Sequence, residues 1–106
     1  MATIIRGPSD AEQEQVRKQL DHYEQEHPGA VGELYRASPA SIRIRVIDDG
    51  FAGMSKSSRH HAVWKYLESL DEDIQQQITV LLLLATAELR SSLMNVEFDH
   101  PVATMA

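Results

Sequence analysis

The stretch Ile42-Arg43-Ile44-Arg45-Val46-Ile47-Asp48-Asp49-Gly50-Phe51-Ala52-Gly53 decides how this chain folds. Its opening alternates aliphatic and basic residues, and the aliphatic ones are all β-branched. A period of two with that composition is a half-buried strand, with Ile42, Ile44 and Val46 toward a core and Arg43 and Arg45 outward. Asp48-Asp49-Gly50 supplies the turn residues that stop it. Upstream, Ser38-Pro39 marks another turn, and Val31, Leu34 and Tyr35 precede it. Residues 30–37 and 41–48 therefore suggest an antiparallel hairpin.

On both sides of the hairpin the period changes. Ser9 and Glu12 form a capping-box pair just after Pro8, and Val16, Leu20 and Tyr23 recur at helical spacing, so a helix is expected over about 10–26. His27-Pro28-Gly29 ends it. Beyond Gly53 the loop is rich in capping residues, and Ala62, Val63, Tyr66, Leu67 and Leu70 fall three and four apart, giving an amphipathic helix of about 57–70. Residues 71–95 are ambiguous from composition alone. Ile78, Thr79 and Val80 favour a strand, whereas Gln75 to Gln77 and Leu81 to Leu84 are good helix formers, and a short apolar run fits either.

At 106 residues the chain can build one core and not two. It has no cysteine, which excludes disulfides, thiolate metal sites and a cysteine nucleophile, and which fits a cytoplasmic protein. The opening MATIIRGPSD lacks the apolar core of a signal peptide, and the longest apolar run is too short to span a membrane, so no membrane association is expected. The net charge of -6 is uneven. Residues 1–33 and 67–106 are acidic, while 34–66 hold Arg36, Arg43, Arg45, Lys56, Arg59 and Lys65 against only Asp48 and Asp49. A nucleic-acid binder needs a basic surface, and the acidic flanks oppose one.

Catalysis has no positive signal. Asp48 and Asp49 are consecutive at a strand end and diverge, which suits a turn and not a carboxylate pair. There is no nucleophile elbow and no phosphate loop leading into Lys-Ser or Lys-Thr. His60 is the one imidazole worth weighing as a metal ligand, but its neighbour His61 projects about 100° away on a helix and cannot share the ion. His22, His27 and His100 have no second imidazole at i+4, and His22 with Glu26, one helical turn apart, reads as a surface pair. No enzyme, resident metal or cofactor is expected. Gly50-Phe51-Ala52-Gly53 matches the GXXG pattern with which KH domains clamp a nucleic-acid backbone, and Gly50, Gly53, Lys56, Arg59, Arg43 and Arg45 would be its contacts. KH domains, however, place that loop between two helices, whereas here it follows a strand.

Phe51-Ala52-Gly53, then Arg59-His60, then Val63-Trp64, set directly after a strand and opening a helix, resemble the central motif of the BolA-like family. The resemblance extends more loosely over about residues 10–92. It implies an α+β domain of order αββαβα, related to the type II KH fold, with a three-stranded sheet covered by helices. It implies a strand at Ile78 to Leu84 and a last helix opened by Thr86-Ala87-Glu88-Leu89. It also implies a non-enzymatic adaptor that works beside monothiol glutaredoxins in iron-sulfur cluster handling, with the cluster shared between the two proteins. Partner contacts would then come from Phe51, Gly53, Lys56, Arg59, His60 and Trp64. The family's cluster-ligand His falls at Gln77 or its neighbours, and its second His falls near Arg36 to Ser41. Both places lack histidine here, and an amide is a poor iron ligand.

The expected organisation is an extension over 1–9, a domain over 10–95 and a flexible tail over 96–106. The expected core is Val16, Leu20, Ile42, Ile44, Val46, Phe51, Val63, Leu67, Leu70 and the apolar residues of 78–84. Nucleic-acid binding and homodimerisation through the apolar run or sheet face are the alternative functions.

Overall fold

A computed structural model describes residues 3–91. They form an α+β unit with one four-stranded sheet and three α-helices. In chain order these are β1 (Ile4–Ile5), α1 (Ala11–Glu26), β2 (Val31–Ser38), β3 (Ser41–Ile47), α2 (Lys56–Leu67), α3 (Glu72–Gln77) and β4 (Ile78–Leu84). Short 3-10 helices occupy Asp49–Phe51 and Thr86–Ser91.

The hairpin of β2 and β3 is the centre of the sheet. Leu34 lies opposite Ile44 and Tyr35 opposite Arg43, with an irregularity between Arg36 and Ser38. β4 runs parallel to β3, with Ile44 opposite Leu81 and Ile47 opposite Leu84. That parallel pairing needs a crossover, which α2 and α3 provide. The sheet differs from the expected three strands because β1 adds a fourth, parallel to β2 at Glu33 and Leu34. Ile4 and Ile5, within the expected extension, therefore belong to the sheet. Two residues carry no readable period, so this strand left no signal in the sequence.

Two helix ends also differ from expectation. The cap of α1 is Asp10 and not Ser9: Asp10 Oδ1 accepts from the Gln13 amide at 2.8 Å, while the Ser9 hydroxyl bonds Glu14 at 3.3 Å. A carboxylate gains from the helix dipole where a hydroxyl does not. The motif helix stops at Leu67, and a turn through Glu68 to Leu70 leads to α3, which was not foreseen. Gln75 stabilises that turn by donating to the Leu70 carbonyl at 2.6 Å and the Glu68 carbonyl at 3.1 Å. α3 has six residues and buries only Ile74, too little to show a stripe. Residues 86–91 form a 3-10 helix where a last α-helix was expected. The tail expected at 96–106, and the domain boundary before it, lie outside the described residues.

The core lies between α1, α2 and one face of the sheet. Val16, Leu20, Ile42, Ile44, Val46, Phe51, Val63, Leu67 and Leu70 are all buried, joined by Tyr23, Leu34 and Ile74. Of the apolar run in β4 only Leu83 is fully buried; the others are partly exposed at the end of the sheet. The opposite face of the sheet corrects one reading. Arg45 was expected to face solvent, yet it is only 4% exposed and pairs with buried Glu33, donating from Nε at 2.7 Å. Arg6 donates to the other Glu33 oxygen at 2.9 Å, so one carboxylate on β2 joins the residue after β1 to β3. Arg43, half-buried, donates to the Tyr35 hydroxyl at 3.1 Å.

Candidate functional site

The corner between β3 and α2 is built by three short side chains. Asp48 Oδ1 accepts from the Gly50 amide at 2.9 Å, and its other oxygen accepts from the buried Tyr23 hydroxyl at 2.6 Å. Burial beside that carboxylate pushes the Tyr23 phenol well above its ordinary range. Asp49 points away and accepts from the Thr86 amide at 2.8 Å, which holds its carboxyl below the usual value. The two aspartates thus serve two different bonds, as consecutive turn residues do. Gly53 then takes φ +80°, a left-handed conformation that favours glycine. Ser55 caps α2 by accepting from the Ser58 amide at 3.1 Å.

Helical geometry sorts the motif residues onto different faces. Arg59 stands four residues before Val63 and eight before Leu67, so it shares their inward stripe. It is 7% exposed and acts as an internal tie. Its guanidinium donates to the Met54 carbonyl at 3.2 Å, to the Leu83 carbonyl at 3.0 Å and to both oxygens of Glu88, at 2.6 and 2.9 Å. Glu88 also accepts from the Ala85 amide at 2.8 Å. The Arg59 guanidinium, helped by that amide, holds the Glu88 carboxyl at about 2. One side chain therefore fastens the start of α2 to the end of β4 and the turn after it. Phe51, buried beneath, has the same guanidinium 5.8 Å from its ring centre.

The outward stripe is Lys56, His60 and Trp64, again four apart. The His60 ring stacks on Trp64 with centroids 5.5 Å apart and planes 13° from parallel. Trp64 is half-buried and rests on the core, whereas Lys56 and His60 are exposed. Alongside runs a second stripe of Ser57, His61 and Lys65, which with Ser58 and Ala62 lines a shallow hollow. Of the six expected partner contacts, then, Lys56, His60 and Trp64 share a solvent face, Gly53 is exposed at the corner, and Phe51 and Arg59 are internal.

The residues of the nucleic-acid alternative are dispersed. Arg45 is buried in its pair with Glu33, Arg43 lies against Tyr35 on the sheet, and Arg59 is engaged with Glu88. Gly50 lies within the 3-10 turn Asp49–Phe51 at the end of a strand, and Gly53 follows that turn. The loop that does join two helices, residues 68–71, is acidic and has no glycine.

At the opposite end of the sheet, sequence reasoning missed a polar cluster around Arg36. Its guanidinium donates to Asp10 at 2.6 Å, to Glu12 at 3.2 Å, to the Gln77 side-chain oxygen at 3.0 Å and to the Pro39 carbonyl at 3.1 Å. Gln77 in turn donates to Glu12 at 2.7 Å. Arg36 holds the Asp10 carboxyl below its ordinary value. These are the two places to which the resemblance assigns cluster ligands, Gln77 and the turn after β2. What meets there is a cation, an amide and two carboxylates already engaged by them. That donor set does not fit an iron-sulfur cluster, which is held by soft thiolates or imidazoles.

The remaining described histidines are similarly placed for packing or solvent. His27 stacks on Tyr23 at 3.9 Å and bonds the Tyr23 carbonyl through Nδ1 at 2.9 Å, and His22 is exposed. Among the described residues no group of three or more His, Asp or Glu could hold a metal ion, and no helix is long and apolar enough to cross a membrane. No family model, curated protein or solved structure matches the chain.

Proposed function

We propose that this protein is a non-enzymatic, BolA-like adaptor that docks a protein partner on the exposed face of α2, with a monothiol glutaredoxin the partner to test first. The observation that carries this reading is the division of labour on α2. Arg59 anchors the helix from beneath, and Lys56, His60 and Trp64 line up on its outer side. A half-buried Trp on a rigid, capped helix is the kind of anchor that concentrates binding energy. The strand–turn–helix corner with its Phe-x-Gly and Arg-His residues, and the mixed pairing of β2, β3 and β4, support the family resemblance. The extra strand β1 and helix α3 are departures within that reading. The Arg36 cluster argues that the contact is between proteins, without a cluster bridging them.

Size-exclusion chromatography of the protein mixed with a monothiol glutaredoxin, with and without its cluster, tests the proposal. A complex that Trp64→Ala weakens supports it, and separate elution under both conditions removes it. A homodimer is the second reading. It is favoured by β4, an uncharged strand of Ile, Thr, Val and Leu at the end of the sheet, where an edge invites pairing. Light scattering that finds a monomer at high concentration removes that one.

A further inference from the structure

The chain is acidic, yet α2 from Lys56 to Leu67 contains no Asp or Glu. Its outer surface carries Lys56, His60, His61 and Lys65, all exposed. The arginines at 6, 17, 36, 45 and 59 are engaged in internal ion pairs, whereas Lys56 makes none among the described residues. Lys65 lies over the Tyr66 ring at 5.3 Å, with its charge still open to water. Lys56 and Lys65 project about half a turn apart around the α2 axis, so they stand at opposite edges of the face that carries Trp64 and its stacked imidazole. Between them they define a basic strip with an aromatic centre on a protein of net charge -6.

From this we infer the partner's chemistry: the α2 face takes an acidic protein segment that sets carboxylates against Lys56 and Lys65 and an apolar side chain on Trp64. The inference rests on α2 being the docking face. Charge complementarity of this kind sets partner choice and speeds encounter more than it adds affinity. A nucleic-acid strand fits less well, because the strip is short. Its two lysines are nine positions apart, about 14 Å along a helix, and exposed Glu68, Asp71, Glu72 and Asp73 follow at its end. A polyanion continuing past Lys65 meets like charge there, whereas a short acidic segment stops before it.

The test uses the full chain labelled with nitrogen-15 and three probes of matched length: an acid-rich peptide with one central Leu, the same peptide with Lys for each acid, and a single-stranded DNA. The expected result is saturable amide shifts along α2 with the acidic peptide alone. That binding should weaken as the Debye length contracts from about 10 Å at 0.1 M salt to about 3 Å at 1 M. Lys56→Glu combined with Lys65→Glu should reduce affinity about tenfold while leaving the circular dichroism spectrum unchanged. His61→Ala, at an exposed position, should give a second reduction while leaving the ring stacked on Trp64 in place. Binding of the lysine peptide or the DNA as tight as that of the acidic peptide overturns the inference. So does the absence of α2 shifts, or shifts that raising the protein concentration alone reproduces. If a glutaredoxin moves the α2 amides and the acidic peptide does not, α2 docking stands and the acidic class falls. If neither moves them, both fall together.

Discussion

Replacing Arg59 with methionine removes the tie under α2 while keeping an unbranched side chain of similar reach. The cost follows from which partners can find water afterwards. Glu88 is partly exposed and is resolvated, so its loss adds little. The Leu83 carbonyl accepts one of the guanidinium's bonds in a buried setting and is orphaned, at about 1–3 kcal/mol. The Met54 carbonyl, half-buried, loses a bond worth about 1 kcal/mol. The sum is about 2–4 kcal/mol, a large share of the 5–15 kcal/mol or so that stabilises a typical domain. For a chain of this size it corresponds to a fall in Tm of about 10–20 °C. Urea unfolding followed by Trp64 fluorescence and by circular dichroism measures it, with the slope m unchanged if the native fold persists. Arg59→Lys should recover only part of the loss, because an ammonium cannot serve divergent acceptors as a guanidinium fork does. A loss below about 0.5 kcal/mol for Arg59→Met, the range of ordinary surface changes, would refute the assignment of Arg59 to the interior.

Gln13 is fully buried and neither of its side-chain polar atoms has a hydrogen-bond partner among the described residues, so Gln13→Leu should stabilise the fold by about 1 kcal/mol; a destabilised variant in urea unfolding would contradict this. Gly53→Ala places a side chain at φ +80° and should cost about 1–2 kcal/mol, with no loss of stability counting against the described corner. The Glu88 carboxyl should titrate near 2 by carbon-13 NMR and return toward its ordinary 4.5 in Arg59→Met. Because its folded value is depressed, the stability that it contributes is complete above the ordinary value and is lost as pH falls toward 2. An ordinary midpoint in the unsubstituted protein would rule out the ion pair.

The hairpin, both long helices and the listing of buried β3 residues were legible because each has a sustained period. Ile42, Ile44 and Val46 repeat at two, and Val16, Leu20 and Tyr23 at four and three. β4 was legible only as an apolar run open to two readings, since Ile78 to Leu84 are apolar at every position but Thr79 and show no alternation. β1 and α3 were hidden by length, for two residues and a single buried Ile74 make no pattern. The candidate site was half legible. Its residues were named, but the inward position of Arg59 follows from its place on the Val63 and Leu67 stripe, a signal present in the sequence and overridden by the expectation that arginine faces water. Arg45 misled in the same way: strand alternation placed it correctly on the second face, but that face is not simply solvated. Its partner Glu33 is twelve residues away on the next strand, and only the register brings the two together. The Arg36 cluster draws on Asp10, Glu12 and Gln77, and no local pattern links positions so far apart.

The most direct test of α2 as a docking face is an amide chemical-shift map of the labelled protein on addition of unlabelled monothiol glutaredoxin. The account predicts that the shifts gather at Lys56, Ser57, His60, His61, Trp64 and Lys65 and leave the Arg36 cluster unmoved. Shifts confined to β4 or to the Arg36 cluster, or none at saturating partner, would contradict it.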